Sequence, residues 1–414
     1  MRDHRYSLRD MKLIFFVSIF IYFISFSILS TSVSLADIST HPPASIRLYG
    51  FLLPSFIFGT REVESFSRAN SVAYTAAANP VLATHPQHET LAIQLEQTRF
   101  GFAIGEGNKT SALIEFDFVD TSKSQAWVNS YPRLRRALVD FEWDESNHVQ
   151  FGQDWDLFSP LAPHTYNLVG HYFETGDVGF MRQQLAWINK SIPHLELAGA
   201  LGMQTSNTTL QFSNKELSLT PTISLRATMI DGANQFGLSV LASSLLTDID
   251  AKSRLFAGGV NAFIEHQFGD FTLRSECYLG KNLYNLGTQA LSFGEKGHDV
   301  AEWGAWATGL FHISSSLGVF GGAGISKIIN PGQMLASYTR DQTTRVTSLG
   351  SYGPGIEQNY TLRMGTEYAL TTQLKTYIEA AYLNTLHHLH GDDKSQFNPR
   401  REALVTQTGL MYTF

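Results

Sequence analysis

The feature that most constrains this chain is an apolar–polar alternation of period two, repeated along most of its length. In TISLRATMI, Ile223, Leu225, Ala227 and Met229 share one side, and Ser224, Arg226 and Thr228 the other. ALIEFDFV sets Ile114, Phe116 and Phe118 against Glu115 and Asp117, and YTLRMGTEYAL sets Leu362 and Met364 against Arg363 and Glu367. Period two is the repeat of a β-strand whose faces lie in different environments. Sixteen such strands are expected, starting near residues 45, 91, 110, 133, 148, 180, 193, 221, 235, 254, 271, 301, 317, 357, 373 and 402. Each is about 9–14 residues long, enough for a tilted strand to cross a bilayer. Connections after even strands are mostly tight (EGNKT, DESN, DGAN, FGD, SSSL, LTTQ), whereas Thr60–Thr90, Asp154–Gly179, Leu283–Val300, Ile329–Ile356 and Asn384–Arg401 are long. The pattern predicts an all-β fold, a transmembrane antiparallel β-barrel of 16 strands with short periplasmic turns and long extracellular loops. An even count puts both termini on the short-turn side.

Composition separates this barrel from soluble alternatives. Only 16% of the 414 residues are charged and 12% are aromatic, where a soluble domain carries about 25% charge. A mean hydropathy of -0.08 excludes a polytopic helical membrane protein, and the aromatic content excludes a disordered chain. A net charge of -7 gives no basic field for nucleic acid. A soluble sandwich or propeller would expose Lys, Glu and Thr; here Phe and Leu near strand ends suit interfacial girdles.

The N-terminus supplies an address. Leu13–Leu29 is an uncharged run preceded by Lys12 and followed by STSVSLA. This predicts a secretory signal peptide over 1–36, cut after Ala36, and one barrel domain over 37–414. Translation from Met11 would give the signal an ordinary basic start. An uncleaved anchor holding a periplasmic β-domain is the competing reading. The single Cys277 forms no internal disulfide and excludes a cysteine metal site.

Arginine recurs on the polar faces: Arg99, Arg136, Arg182, Arg226, Arg274 and Arg363. Facing lipid, each would cost about 2–4 kcal/mol at the midplane, so a water-filled lumen is their expected place. They are expected to oppose Glu115, Asp117, Asp140 and Glu142 across it; wall-stiffening ion pairs are the plainer alternative. Arg133 and Arg135 fall on the opposite register and are expected at lipid headgroups or a neighbouring subunit. The segment DWDLFSPLAPHTYNLVGHYFETGDVG starts on the long-loop side. It is expected to fold into the barrel with Asp154, Asp156, Glu174 and Asp177 toward the arginines, shaped by Pro160, Pro163, Gly176 and Gly179. In LHHLHGDD, His387, His388, His390, Asp392 and Asp393 lack fixed ligand spacing and read as a polar loop. No nucleotide, zinc-protease or nucleophile-elbow motif occurs, so neither enzyme, cofactor nor metal is expected. The ending ALVTQTGLMYTF, with Leu410, Tyr412 and terminal Phe414 alternating, resembles the recognition strand of outer-membrane proteins.

The runs QTRFGFAIG, IEFDF, YPRLRRALVDFEW and VQFGQDWDLFSP resemble the N-terminal half of bacterial outer-membrane porins. They are most similar to the DcaP-like, dicarboxylate-type branch of trimeric porins, over roughly residues 45–190. The resemblance implies a homotrimer in the outer membrane of a Gram-negative bacterium, with a constricting third loop and passive diffusion of small polar or anionic solutes. It implies Arg99, Arg136 and Arg182 at the constriction, with Asp154 and Asp156 in its loop. Members of that branch often carry an N-terminal coiled-coil extension, whereas here the first strand begins within about ten residues of the cleavage site. The expected partners are outer-membrane lipid and lipopolysaccharide, the barrel assembly machinery and the solutes. A surface adhesin or structural barrel with a plugged lumen is the alternative.

Overall fold

The computed structural model describes residues 45–61, 63, 71–72, 89–119, 131–203, 220–248, 253–291, 299–334, 338–340, 347–349, 355–388 and 399–414. The expected signal segment, and His390, Asp392 and Asp393, lie outside the described residues.

The alternating segments form one closed antiparallel sheet. Its first eight strands are β1 (Ile46–Leu52 and Ser55–Gly59), β2 (Thr90–Gln94 and Arg99–Ile104), β3 (Thr110–Asp117), β4 (Arg133–Asp144), β5 (Asn147–Trp155), β6 (Met181–Ile192), β7 (Leu195–Gly202) and β8 (Thr222–Asp231). The others are β9 (Asn234–Asp248), β10 (Ser253–Phe268), β11 (Phe271–Lys281), β12 (Ala301–His312), β13 (Leu317–Ile328), β14 (Ile356–Ala369), β15 (Leu374–His387) and β16 (Arg400–Thr413). Two of these are interrupted, so the 18 segments of the sheet make sixteen strands, each starting within two residues of its expected place. β16 closes on β1, pairing Ser55 with Gly409 and Phe51 with Thr413. Gly50 and Phe414 exchange backbone hydrogen bonds of 3.1 and 3.0 Å, at the short-turn end. Closure joins the first strand to the last, as a sheet in hydrocarbon requires. Long and short connections alternate as expected, except that only residues 249–252 join β9 to β10.

The interruptions have a local cause. Pro54 offers no N–H to the ladder, and residues 95–98 of β2 oppose only 52–54 of β1, so the register slips by one. The Leu53 N–H donates instead to Thr98 Oγ1 at 3.1 Å.

Outward positions such as Leu48, Phe56, Ile223, Leu225, Phe256 and Leu362 are exposed, and their neighbours in sequence point into the barrel. The inner face is not polar throughout. Leu241 and Leu245 of β9, Leu255 and Ala257 of β10 and Tyr278 of β11 point inward. They are buried against Phe158 and Val178 of the β5–β6 connection and Leu283 and Leu286 of the β11–β12 connection. A second inner cluster joins Ile57, Leu383, Ala403 and Val405 to Val63 and Val72 from the β1–β2 connection. His387 belongs there: it is buried, with Nε2 2.9 Å from the Val72 carbonyl, and so is not in an exposed loop. Parts of the lumen are therefore filled by ordinary apolar cores.

Candidate functional site

Residues 156–180, between β5 and β6, cross the interior. Asp156 closes the base of this loop: its Oδ1 accepts the Phe158 N–H at 2.9 Å and its Oδ2 the Phe180 N–H at 3.1 Å. From there the loop meets the far wall through a series of carboxylates. Glu276 of β11 accepts the Leu161 N–H at 2.8 Å and the Ser159 hydroxyl. Glu379 of β15 accepts the Tyr166 N–H at 2.6 Å and the Thr165 hydroxyl at 2.7 Å. Glu367 of β14 accepts the Tyr166 hydroxyl at 2.9 Å and lies 3.2 Å from His164 Nε2. The Tyr166 ring stacks on Tyr377 at 3.7 Å, and the Leu168 N–H donates to Gln97 Oε1 of the β2 bulge at 2.7 Å. The loop's last turn presses its backbone onto the barrel wall. Gly176, at φ 110, lies against the Ala305 backbone, and a side chain on Gly324 would meet the Thr175 carbonyl. The expected fold-back is present, but Asp177 faces His171 at 3.6 Å and Ser159 at 3.4 Å, not the arginines. Burial pushes the Asp177 carboxyl above its usual range, and hydrogen bonds from His171, the Tyr172 backbone and Ser159 pull it back only in part.

Across from these carboxylates, β2–β8 carry Arg99, Arg133, Arg135, Arg136, Arg182 and Arg226, whereas Arg274 is on β11 and Arg363 on β14, beside the carboxylates. One bulge decides their arrangement: Glu115 pairs with Arg136 but Phe116 with Leu134, leaving Arg135 as an extra residue. A bulge lets two consecutive side chains share a face, so Arg133, Arg135 and Arg136 all point inward. This corrects the expectation that Arg133 and Arg135 face lipid or a neighbour. Arg133 pairs with Asp117 at 2.7 Å; Arg135, 2% exposed, reaches Glu115 at 2.9 Å and Asp117 at 3.0 Å; Arg136 pairs with Asp154 at 2.6 Å. Glu115 and Asp117 thus neighbour the arginines on one wall and do not oppose them across the lumen. Asp140 also stays local, accepting from Gln150 at 2.7 Å and lying 3.1 Å from His148.

Between wall and loop lies a cavity of about 690 Å³, reaching Lys375 and Met411 near the short-turn end. Of the residues expected inside the barrel it brings together Arg99, Arg136, Asp154, Asp156, Asp177, Arg226 and Arg274, and it adds Arg135, expected on the outside, and Lys375. Six cationic side chains line it against four carboxylates. Glu115, Glu196 and Glu265, which pair with Arg135, Arg226 and Arg274 at 2.6–2.9 Å, are not in the lining, so cationic side chains outnumber carboxylates at the cavity surface itself. Arg182 and Arg363 are elsewhere. Arg182 is buried, 3.7 Å from Asp156 and donating to the Leu286 carbonyl at 2.8 Å. Arg363 is buried against Glu379 at 3.0 Å with Tyr172 over its guanidinium. Leu410, Tyr412 and Phe414 are exposed on the outer surface. In the sequence Glu276 is one polar-face residue beside Arg274 and nothing marks Glu379; only their loop partners single them out.

No family model and no curated protein matches this sequence. Solved structures match the architecture. The outer membrane channel DcaP of Acinetobacter baumannii aligns with a TM-score of 0.67 at 14% identity, over 90% of this chain and 98% of that one. The fold is that of the Gram-negative outer-membrane porins. A loop-deletion variant of OmpT, an outer membrane protein of Vibrio cholerae, aligns with a TM-score of 0.54 at 12% identity, covering 90% and 100%. OprB of Pseudomonas putida gives 0.50 at 10% identity, covering 89% and 94%. The likeness is one of fold, and it extends the motif resemblance of residues 45–190 to the porin-like barrel as a whole.

Proposed function

We propose that the chain is a non-enzymatic outer-membrane channel for passive diffusion of small hydrophilic solutes, favouring anions such as dicarboxylates. The observation that carries this reading is the 690 Å³ cavity whose lining holds six cationic side chains against four carboxylates. Cationic side chains at the surface of a water-filled passage raise the local concentration of anions and lower that of cations. Arg99, Arg136, Arg226 and Arg274 are the pore-lining residues in this proposal, and Asp154 holds Arg136 in place. The terminal Leu410, Tyr412 and Phe414 serve recognition by the barrel assembly machinery, residues 1–36 direct export, and the barrel works as a homotrimer. The test is the zero-current potential of the purified protein in a planar bilayer under a salt gradient. The wild type is expected to favour anions, and Arg136→Gln with Arg274→Gln to move the potential toward cations; an unmoved potential contradicts the assignment.

One observation favours a second reading, a surface structural or adhesin-type barrel with a plugged lumen: the crossing loop covers the buried Glu276 and Glu379 of the far wall. Liposome swelling separates the two. Uptake of small sugars and carboxylates supports the channel, and none supports the plug.

A further inference from the structure

Of the six cationic side chains at the cavity, five donate to carboxylates. Arg135 reaches Glu115 and Asp117, Arg136 reaches Asp154, Arg226 Glu196, Arg274 Glu265 and Lys375 Glu367, all at 2.6–3.2 Å. Arg99 differs. Its guanidinium donates no hydrogen bond among the described residues, and the carboxylate it faces, Glu115, stays 3.7 Å away. Glu115 is already taken by Arg135 at 2.9 Å and by the Tyr49 hydroxyl at 3.2 Å. Asp117 is held by Arg133 and Arg135, so three arginines share two carboxylates and one positive charge is left over.

The surface beside Arg99 is apolar. Its guanidinium lies 5.4 Å from the centre of the Phe51 ring, its cross-strand partner on β1. Phe51 also pairs with Thr413 of β16, which sets Met411, two residues back on the same face, diagonally beside it. The crossing loop brings Leu168 to the same place, its N–H donating to Gln97, two residues before Arg99. Phe51, Leu168 and Met411 pack on one buried cluster of Leu53, Tyr166, Phe320 and Tyr377. All three nevertheless stay partly exposed and line the cavity. Two strands and a loop thus build an apolar shelf inside the lumen, with an unengaged cation at its edge. The ligand that satisfies both features has one anionic group and an apolar body. A carboxylate takes the charged hydrogen bonds that Arg99 has to give, and the body removes the shelf from water. A second carboxylate gains less, because the neighbouring cations already have partners.

We propose that Arg99 with Phe51, Leu168 and Met411 is a binding site for a monocarboxylate with an apolar body, which it holds more tightly than a compact dicarboxylate. The proposal rests on the channel reading and narrows it to one class of solute at one place in the passage. The test is the single-channel current of the purified full-length protein in a planar bilayer, titrated with phenylacetate, succinate or phenethyl alcohol. Phenylacetate is expected to half-block the wild type at about a tenth of the succinate concentration, and the uncharged alcohol not to block. Met411→Gln should raise the half-blocking concentration of phenylacetate about fivefold and leave that of succinate in place. Arg99→Gln should raise that of phenylacetate roughly thirtyfold. Heat-dependent gel mobility checks that each variant barrel is closed, and Leu168→Gln replaces Met411→Gln if that one is not. Equal block by phenylacetate and succinate, or a closed Met411→Gln barrel blocked as readily as the wild type, overturns the proposal and leaves the channel reading standing. Absence of any current overturns the channel reading, and the proposal with it.

Discussion

The two inner walls of the barrel are both lined with charge, and they use it in opposite ways. On β2–β6 the ions are matched by near neighbours in the sheet: Arg133 with Asp117, Arg135 with Glu115, and Arg136 with Asp154. On β11–β15, Glu276, Glu367 and Glu379 take donors from the crossing loop, more than a hundred residues away in sequence. A wall whose charges are satisfied within the sheet leaves its surface to water. A wall whose carboxylates are satisfied by loop amides and hydroxyls draws the loop onto itself and becomes dry. The same in–out alternation therefore yields one wall that turns most of its arginines to the cavity and another that holds the loop bounding it.

The contrast can be broken from either side. Arg135→Met would remove the shared partner of two buried carboxylates; stability should fall by about 3–5 kcal/mol, read from the denaturant dependence of unfolding. Glu379→Gln weakens the acceptor of Thr165, Tyr166 and Arg363 together. The loop should loosen, and single-channel conductance is expected to rise roughly twofold as the loop-covered wall admits water. Gly324→Val sharpens the same point by sterics alone, because the added side chain meets the Thr175 carbonyl; protease cleavage within 157–180 should become faster. The smallest effect is one of pH. Burial raises the Asp177 carboxyl, so the stabilisation linked to its proton is complete below the ordinary carboxylate range and is lost as pH rises through the raised value. Loop amide exchange, corrected for its intrinsic pH dependence, should accelerate with rising pH in the wild type and much less in Asp177→Asn.

How much of this was legible in the sequence follows from which interactions are local. Strand alternation and hairpin turns are set within a few residues, so all sixteen strands could be read. The faces of Arg99, Arg226 and Arg274 followed directly. The faces of Arg133 and Arg135 did not, because one inserted residue reverses every side chain on its far side. The signal was present as the consecutive Arg135 and Arg136, which break the alternation in RLRRAL. For Arg182 and Arg363 the inward direction was legible but the burial was not, since the Leu286 carbonyl and the Tyr172 ring that cover them come from other parts of the chain. Glu276 and Glu379 read as ordinary polar-face residues, and nothing near them in sequence announces a loop.

The most direct test of an arginine wall that faces the passage beside a carboxylate wall that holds the loop is the zero-current potential of the reconstituted protein, compared between the wild type and Arg136→Gln with Arg226→Gln. The account predicts an anion-favouring potential that moves toward cation preference in the variant. A cation-favouring wild type, or a potential that the two substitutions leave in place, would contradict it.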